Sequence, residues 1–143
     1  MKVLVIHGPN LNLLGERRPD VYGRRTLKEL DRELRAKARS LKLTLRILQS
    51  NHEGRILDVL AAARRWADRL VINPGALTHY SYALRDGIEA CGIPAVEVHL
   101  SDIRRREPFR RRSVVRAVCR KSFSGGGFGS YLKALEWCAK SAA

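Results

Sequence analysis

The sequence has few cysteines, few aromatic residues and no long hydrophobic run, and each shortage excludes a class of protein. Its three cysteines, Cys91, Cys119 and Cys138, are far apart and form no Cys-x-x-Cys pair. This argues against a zinc module or a disulfide framework and favours a reducing compartment, the cytoplasm. No run of about 18 apolar residues occurs, so we expect no membrane span. The first apolar run, residues 2–7, ends at a Gly-Pro turn, which is typical of a strand rather than of a signal peptide.

Acidic residues are also scarce: 14 Asp and Glu stand against 28 Lys and Arg, a formal net charge of +14. Such an excess suggests a nucleic acid, a membrane surface or an anionic substrate. A basic nucleic-acid-binding α/β domain is therefore one hypothesis, and the arginines between residues 104 and 112 support it. Because aromatic residues make up only 6% and no RNA- or DNA-binding motif occurs, we expect no specific nucleic acid. The arginine run then predicts a solvated face or a subunit interface.

The apolar residues of the chain alternate between two periods. With 143 residues, 45% of them hydrophobic, the chain has the size and composition of a single domain spanning residues 1–143. The pattern predicts strands at residues 2–7, 43–48, 70–73, 95–100 and 117–123, and helices at 26–41, 56–67, 80–91 and around 131–138. Alternating strands and helices favour a parallel sheet. The predicted fold is α/β, a flavodoxin-like doubly wound five-stranded parallel sheet with helices on both faces.

Polar side chains cluster after the predicted strands. In doubly wound sheets, ligands bind beyond the carboxyl ends of the strands. Each polar residue there has a structural explanation on its own, such as turn chemistry for Asn. Four loops that converge on one edge with amides, imidazoles and guanidinium groups nevertheless favour a functional site. The residues concerned are Asn10, Asn12, Arg17, Tyr22, Asn51, His52, Glu53, Asn73, Thr78, His79, His99, Ser101, Arg106 and Arg110.

Common cofactor motifs are missing from these loops. The letters GPNLNL at residues 8–13 are not the Gly-x-Gly-x-x-Gly of a dinucleotide fold, and no P-loop lysine occurs. The first loop is rich in amides, whereas the phosphate site of a flavin nucleotide needs Ser and Thr, so we expect no flavin. A non-catalytic signalling module of this fold would need an acidic pocket after the first strand, and this loop lacks one. The histidines lack the pair spacing of metal ligands. We therefore expect neither a cofactor nor a metal.

Four blocks of sequence resemble type II 3-dehydroquinate dehydratases. They read GPNLNLLG at residues 8–15 with Arg17, Pro19 and Tyr22 following; QSNHEG at 49–54; NPGA, TH and ALRD between 73 and 86; and EVHLS and REPFR between 97 and 110. The resemblance covers nearly the whole chain. It implies one catalytic domain, a lyase that dehydrates 3-dehydroquinate to 3-dehydroshikimate in the shikimate pathway of aromatic amino acid biosynthesis. It also implies an anti elimination through an enolate, without an imine, cofactor or metal, and a homo-oligomer, a dodecamer of trimers.

The resemblance also assigns roles to single residues. It makes Tyr22 the base that removes the proton next to the ketone, with its pKa lowered from the ordinary value of about 10 by Arg17 on the same loop. It places Asn10 near the enolate through an ordered water, and it makes His99 the acid that protonates the departing hydroxyl. The substrate-binding positions are Asn73, His79, Asp86, Leu100, Ser101 and Arg110. Of these, Arg110 should meet the substrate carboxylate, and Asp86 should reach the site of an adjacent subunit.

Two further positions are supporting ones, Asn12 and Glu97. Glu97 precedes His99 by two residues on one strand and so shares its face, which means that it either orients the histidine or packs within the sheet. Residues 16–24 are expected to form a polar lid that closes over the substrate. The chain departs from the family pattern at Arg18, where Glu is usual, and also at Asp102, Arg111, Arg112, Tyr80 and Tyr82. None of these departures removes an assigned group.

Overall fold

The computed structural model describes residues 1–22 and 24–141, apart from the side chain of Tyr22. The predicted role of the Tyr22 side chain and the part of Gly23 in the lid therefore lie outside the described residues. The strands are β1 (Lys2–His7), β2 (Thr44–Gln49), β3 (Arg69–Asn73), β4 (Ala95–His99) and β5 (Lys121–Ser124). The helices are α1 (Pro19–Tyr22), α2 (Leu27–Ser40), α3 (Glu53–Ala63), α4 (Tyr82–Cys91), α5 (Pro108–Arg111) and α6 (Phe128–Lys140). Across the residues described, no helix is long and apolar enough to cross a membrane.

All five strands are parallel, and their order across the sheet is β2, β1, β3, β4, β5. This is the order of a flavodoxin-like doubly wound sheet, so the predicted fold class is confirmed. In such a sheet the crevice opens at the switch point between β1 and β3. At that point His7 and Asn73, the last residues of the two strands, are register partners.

The core consists of two apolar layers, one on each face of the sheet. Leu4 and Ile6 of β1 belong to one layer, with side chains of α3 and α4. Val3 and Val5 belong to the other, with side chains of α2 and α6. This division follows from the strand itself, because successive side chains point to opposite faces. The central strands are buried on both faces and therefore read as continuous apolar runs.

Helix α2 begins where the sequence predicts, because Thr26 caps it. The Thr26 hydroxyl oxygen accepts a hydrogen bond from the backbone N–H of Glu29 at 3.2 Å. Apart from shifts of one residue and the approximate bounds predicted for α6, three elements differ from the prediction. α4 starts at Tyr82 rather than at residue 80, since Ser81 is its N-cap and accepts from the N–H of Leu84 at 2.9 Å. α3 spans Glu53–Ala63 rather than residues 56–67.

The third difference is that strand β5 begins later than predicted. Instead of extending from residue 117, the chain forms a 3-10 turn at Arg116–Val118 and reaches the sheet at Lys121. Val118 and Cys119, at the end of this turn, are half-buried and pack against the layer that contains α3 and α4. The apolar run therefore reflects burial of a turn, which hydrophobic periodicity cannot distinguish from a short buried strand.

The segment predicted to be a lid contains one turn of helix, α1, which begins at Pro19. The segment begins next to Gly15, whose φ of +91° favours glycine. A Cβ at Gly15 would lie 2.8 Å from the carbonyl oxygen of Arg24, so the chain on the two sides of the segment passes close together. Beyond the other end, the Arg25 guanidinium lies over the Phe128 ring at 4.4 Å. The two ends of the segment are thus close together and anchored on the body of the protein.

Candidate active site

A cleft opens at the carboxyl edge of the sheet, beyond β1, β3 and β4. It encloses about 510 Å³ of empty space, part of it open to solvent. Seven of the predicted site residues line it: Arg17, Asn73, His79, His99, Leu100, Ser101 and Arg110. Residues more than 90 positions apart in sequence meet here because parallel strands bring their carboxyl ends to one edge.

Two titratable side chains at the end of β4 form a close pair at the inner wall of this cleft. The Nε2 atom of His99 lies 2.6 Å from Oε2 of Glu97, and both side chains are buried. They meet because residues two apart on a strand share a face. Since Nε2 is engaged by the carboxylate, Nδ1 is the ring nitrogen that remains for a ligand.

The buried carboxylate of Glu97 has two further partners. The hydroxyl of Ser113 donates to it at 2.9 Å, and the hydroxyl of Thr78 donates to it as well. Burial alone would raise the pKa of Glu97, but the hydrogen bonds from His99, Thr78 and Ser113 outweigh burial and hold the pKa below its usual range. Glu97 is therefore ionised at neutral pH and provides a fixed negative charge behind His99.

Three arginines give the cleft its positive charge: Arg17, Arg106 and Arg110. Arg110 belongs to α5, where its Nε lies 2.8 Å from Oε2 of Glu107, and its guanidinium stacks on the Phe109 ring at 4.8 Å. The Nη1 of Arg106 donates to the hydroxyl of Ser101 at 3.4 Å. A cavity with this lining attracts an anion, above all a carboxylate that can accept two parallel hydrogen bonds.

His79 faces the cleft as a neutral imidazole. Burial lowers its pKa below the ordinary value; a hydrogen bond to the Arg112 carbonyl opposes this, whereas His99 and Arg110 add to it. Its Nδ1 lies 2.7 Å from that carbonyl, which can only accept, so Nδ1 carries the proton. Nε2 is then left as an acceptor for a ligand hydroxyl.

Close backbone packing joins the loops after β1 and β3. The N–H of Gly8 donates to the carbonyl of Asn73 at 2.8 Å, and a Cβ on Gly8 would lie 2.6 Å from the carbonyl carbon and oxygen of Pro74. The Asn73 side chain turns back, and its Oδ1 accepts from the N–H of Gly75 at 3.1 Å. The floor of the cleft therefore depends on the absence of a side chain at residue 8.

The QSNHEG block supports the site from outside the cleft. The Gln49 amide donates to the carbonyl of Gly8 at 3.2 Å, and Oδ1 of Asn51 accepts from the N–H of Asn10 at 2.9 Å. Asn10 has a φ of +69°, a left-handed conformation that Asn tolerates better than most residues. This block braces the first loop.

Four of the described residues that the resemblance assigns to the site do not line the cleft of this chain, and one of them is Glu97, which lies behind His99. Asn10 and Asn12 are exposed on the loop after β1, and Asp86 is exposed on α4. The sequence prediction named Arg106 and Thr78 among the polar residues at strand ends without giving either a role, and it missed Ser113; the structure places Arg106 in the cleft wall and the hydroxyls of Thr78 and Ser113 on Glu97. Arg106 begins the REPFR block, which was a usable signal, whereas no pattern linked Ser113 to a carboxylate on a distant strand. Among the described residues, no cluster of His, Cys, Asp or Glu could hold a metal ion.

Comparison with known proteins gives one consistent result. The family model described as dehydroquinase class II matches residues 1–139. A 3-dehydroquinate dehydratase of Roseiflexus castenholzii is 52% identical over 96% of this chain and 87% of its own length. One of Thermotoga maritima is 51% identical over 98% of this chain and 96% of its own. The crystal structure of a type II dehydroquinase from Butyrivibrio crossotus superimposes with a TM-score of 0.95 at 41% identity, covering 99% of this chain and 98% of the other.

Proposed function

Because the chain belongs to the class II dehydroquinase family, we propose that it removes water from 3-dehydroquinate to give 3-dehydroshikimate, a step of the shikimate pathway. The single observation that carries this proposal is the Glu97–His99 pair at the wall of an arginine-lined cleft. The pair provides a proton donor, and the arginines provide a site for the carboxylate of the substrate. The family relationship supports the same reaction.

In the proposed mechanism, His99 protonates the hydroxyl that leaves. With Nε2 held by the Glu97 carboxylate, the protonated ring presents its Nδ1–H to the substrate. Tyr22 removes the proton next to the ketone on the opposite face, and the electrons form an enolate. The enolate then expels the hydroxyl, which leaves as water with the proton from His99. The cycle closes when Tyr22 returns its proton and His99 regains one.

The same proposal gives the other residues of the cleft binding roles. Arg110 pairs with the substrate carboxylate, while Asn73, His79, Ser101 and the backbone amide of Leu100 hold the ring hydroxyls or the carboxylate. Arg17, on the lid segment, stabilises the phenolate of Tyr22 when the lid closes. Asn10 acts through a water beside the enolate, and Asn12 supports the same loop. The position of Arg17 in the cleft wall supports this arrangement.

We further propose that the protein is a homo-oligomer, a dodecamer of trimers, in which Asp86 completes the site of a neighbouring subunit. Tyr80, Tyr82 and Phe109 are 62%, 55% and 61% exposed, and aromatic side chains of this kind are enriched at subunit interfaces. Tyr82 and Asp86 are one helical turn apart on α4 and so lie on the same face. The free thiols of the chain agree with a cytoplasmic location.

The decisive test is an assay of the purified protein with 3-dehydroquinate, following the ultraviolet absorbance of the enone product. We expect turnover by the wild-type protein and a loss of about 10²- to 10⁴-fold in kcat for Tyr22→Phe, because the variant keeps the ring but lacks the base. Calorimetry should show that the variant still binds the substrate.

Tyr80→Phe is the matched control, since it removes a hydroxyl from an exposed tyrosine that has no assigned role in the reaction, and it should keep normal turnover. Borohydride added with substrate should leave the wild-type enzyme active, because no lysine imine forms. No turnover by the wild-type protein would contradict the proposed function, and normal turnover by Tyr22→Phe would exclude Tyr22 as the base.

A further inference from the structure

A chain of buried polar side chains runs behind the cleft, from α2 to the end of β3. His7, the last residue of β1, is fully buried. Its Nε2 lies 2.8 Å from Oδ1 of Asp31 on α2, and its Nδ1 lies 2.9 Å from the hydroxyl of Tyr131 on α6. The Tyr131 hydroxyl is in turn hydrogen-bonded to the side chain of Asn73. The proposed proton transfers do not use this series of hydrogen bonds, and apolar packing of the core does not explain it.

The chemistry of the four groups sets the direction of each hydrogen bond. The Asp31 carboxylate can only accept, so Nε2 of His7 carries a proton and donates. Because Oδ1 of Asn73 accepts from the N–H of Gly75, its amide nitrogen faces the Tyr131 oxygen, so the Tyr131 proton is donated to Nδ1 of His7. Burial raises the pKa of Tyr131 far above its usual range, although the hydrogen bond from Asn73 opposes this, so the hydroxyl keeps its proton. The Tyr131 oxygen is left to accept from the amide nitrogen of Asn73.

Both ends of the Asn73 amide are therefore held. Its Oδ1 accepts from the N–H of Gly75, and one N–H of its Nδ2 donates to Tyr131. A 180° flip of the amide would point Nδ2 at the N–H of Gly75 and Oδ1 at Tyr131, whose only proton is given to His7. The second N–H of Nδ2 is the one available to a ligand in the cleft, which Asn73 lines.

We propose that Tyr131, His7 and Asp31 are positioning residues that fix the side-chain amide of Asn73 so that it presents an N–H donor to the substrate. This inference rests on the proposed function for the identity of the substrate. His7 and Asn73 are register partners at the switch point of the sheet, which places the end of the chain at the floor of the cleft. Positioning of this kind acts on substrate binding and leaves the proton transfers to Tyr22 and His99.

The test is a double-mutant cycle with Tyr131→Phe and Asn73→Ala. Tyr131→Phe keeps the buried ring and removes only the hydroxyl. We expect it to raise KM roughly five- to tenfold, the size of one lost hydrogen bond, and to change kcat by less than about twofold. In the Asn73→Ala background the same change should leave KM within about twofold, because the group that it positions is gone.

Cys138→Ala is the matched control. It thins the same buried layer from the same helix, α6, and does not touch the polar chain. If Tyr131→Phe acted only by loosening the core, Cys138→Ala would raise KM similarly, which would overturn the proposal. An unchanged KM for Tyr131→Phe, or an equal rise in KM with and without Asn73, would also overturn it.

The wild-type protein offers a readout that does not depend on activity. The readout is the ¹⁵N NMR spectrum of the protein labelled at histidine. The protein has four histidine rings, and the signals of His7 are those that are absent from the spectrum of His7→Asn. We expect His7 to be the neutral tautomer with the proton on Nε2; a proton on Nδ1 would contradict the hydrogen-bond chain. If the wild-type protein showed no turnover, the proposed function would fail. The measured tautomer of His7 would still test, independently of activity, whether the hydrogen bonds from Asp31 to Asn73 run in the proposed direction.

Discussion

Glu97 is the residue at which burial and charge oppose each other most directly. A carboxylate without partners would be unstable in this position, because burial disfavours the charged form. Hydrogen bonds from His99, Thr78 and Ser113 reverse this balance and lower the pKa of Glu97. The same bonds hold His99 at the wall of the cleft, so the stability of the fold and the proposed chemistry depend on the same carboxylate.

A pH dependence of stability follows from the lowered pKa of Glu97. The ionised carboxylate stabilises the folded state fully above the unfolded pKa of about 4.3, and this contribution is lost as the pH falls through the lower folded value. We expect Glu97→Gln, which does not titrate, to lose less free energy of unfolding than the wild-type protein between neutral pH and about pH 3. Urea unfolding at several pH values measures the difference.

Glu136→Gln serves as the control for this prediction. Glu136 also has a lowered pKa, through Lys37 at 2.7 Å, but the pair lies on the surface, where solvent screens it. Its variant should follow the wild-type pH dependence closely. An equally steep loss of stability in Glu97→Gln and in the wild-type protein would contradict the assigned cause.

At the scale of elements, the site depends on how closely the loops after β1 and β3 approach. Gly8 permits the approach, because any Cβ there would collide with the backbone of Pro74. Gly54, in the first turn of α3, is different: a Cβ there would have no atom within 4 Å. The two glycines are therefore a matched pair, one required by packing and one not.

Alanine substitutions at these two glycines should have opposite effects. Gly8→Ala should lower the free energy of unfolding by about 1–3 kcal/mol and reduce turnover, because the loop that carries Asn73 and Gly75 must shift. Gly54→Ala should raise the free energy of unfolding by up to about 1 kcal/mol, since alanine restricts the unfolded chain and suits a helix. Urea unfolding of both variants measures this, and equal effects would refute the packing argument.

At the scale of the whole molecule, the surface charge and the exposed aromatic side chains concern the surface next to the cleft, where we expect another subunit to bind. The chain carries a formal charge of +14, and its exposed tyrosines stand beside the cleft. The Tyr82 hydroxyl accepts from Arg112 at 3.1 Å, and the Arg112 carbonyl bonds to His79 inside the cleft. A partner subunit seated on this surface would therefore contact residues that shape the site.

Subunit mixing tests whether Asp86 acts across an interface. Asp86→Ala and Tyr22→Phe should each be inactive alone. In mixed oligomers, about one quarter of the sites should combine an intact Tyr22 with an intact Asp86 from the neighbour, so activity should return to about a quarter of the wild-type value. Sedimentation should show an assembly far larger than one chain. No recovery after proven subunit exchange would place Asp86 outside the neighbour's site.

Much of the fold could be predicted from local pattern. The five strands, the start of α2 and the loops that build the cleft follow from apolar periodicity and from turn residues, which act over a few positions. The start of β5 could not be predicted, because Val118 and Cys119, which pack against the layer that contains α3 and α4, give a turn the apolar composition of a strand. The observed bounds of α3 and α4 also differ from the predicted ones, because capping and packing decide where helices begin and end.

By itself, the sequence determined which groups the site contains: a histidine, amides and arginines at strand ends, in blocks that resemble one family. The tertiary structure alone decided which of them touch. It joined Glu97 to Ser113, placed Arg106 in the wall and linked Asp31 through His7 and Tyr131 to Asn73. These contacts join residues far apart in the chain, and hydrogen bonds form by distance and angle, which local sequence spacing does not encode.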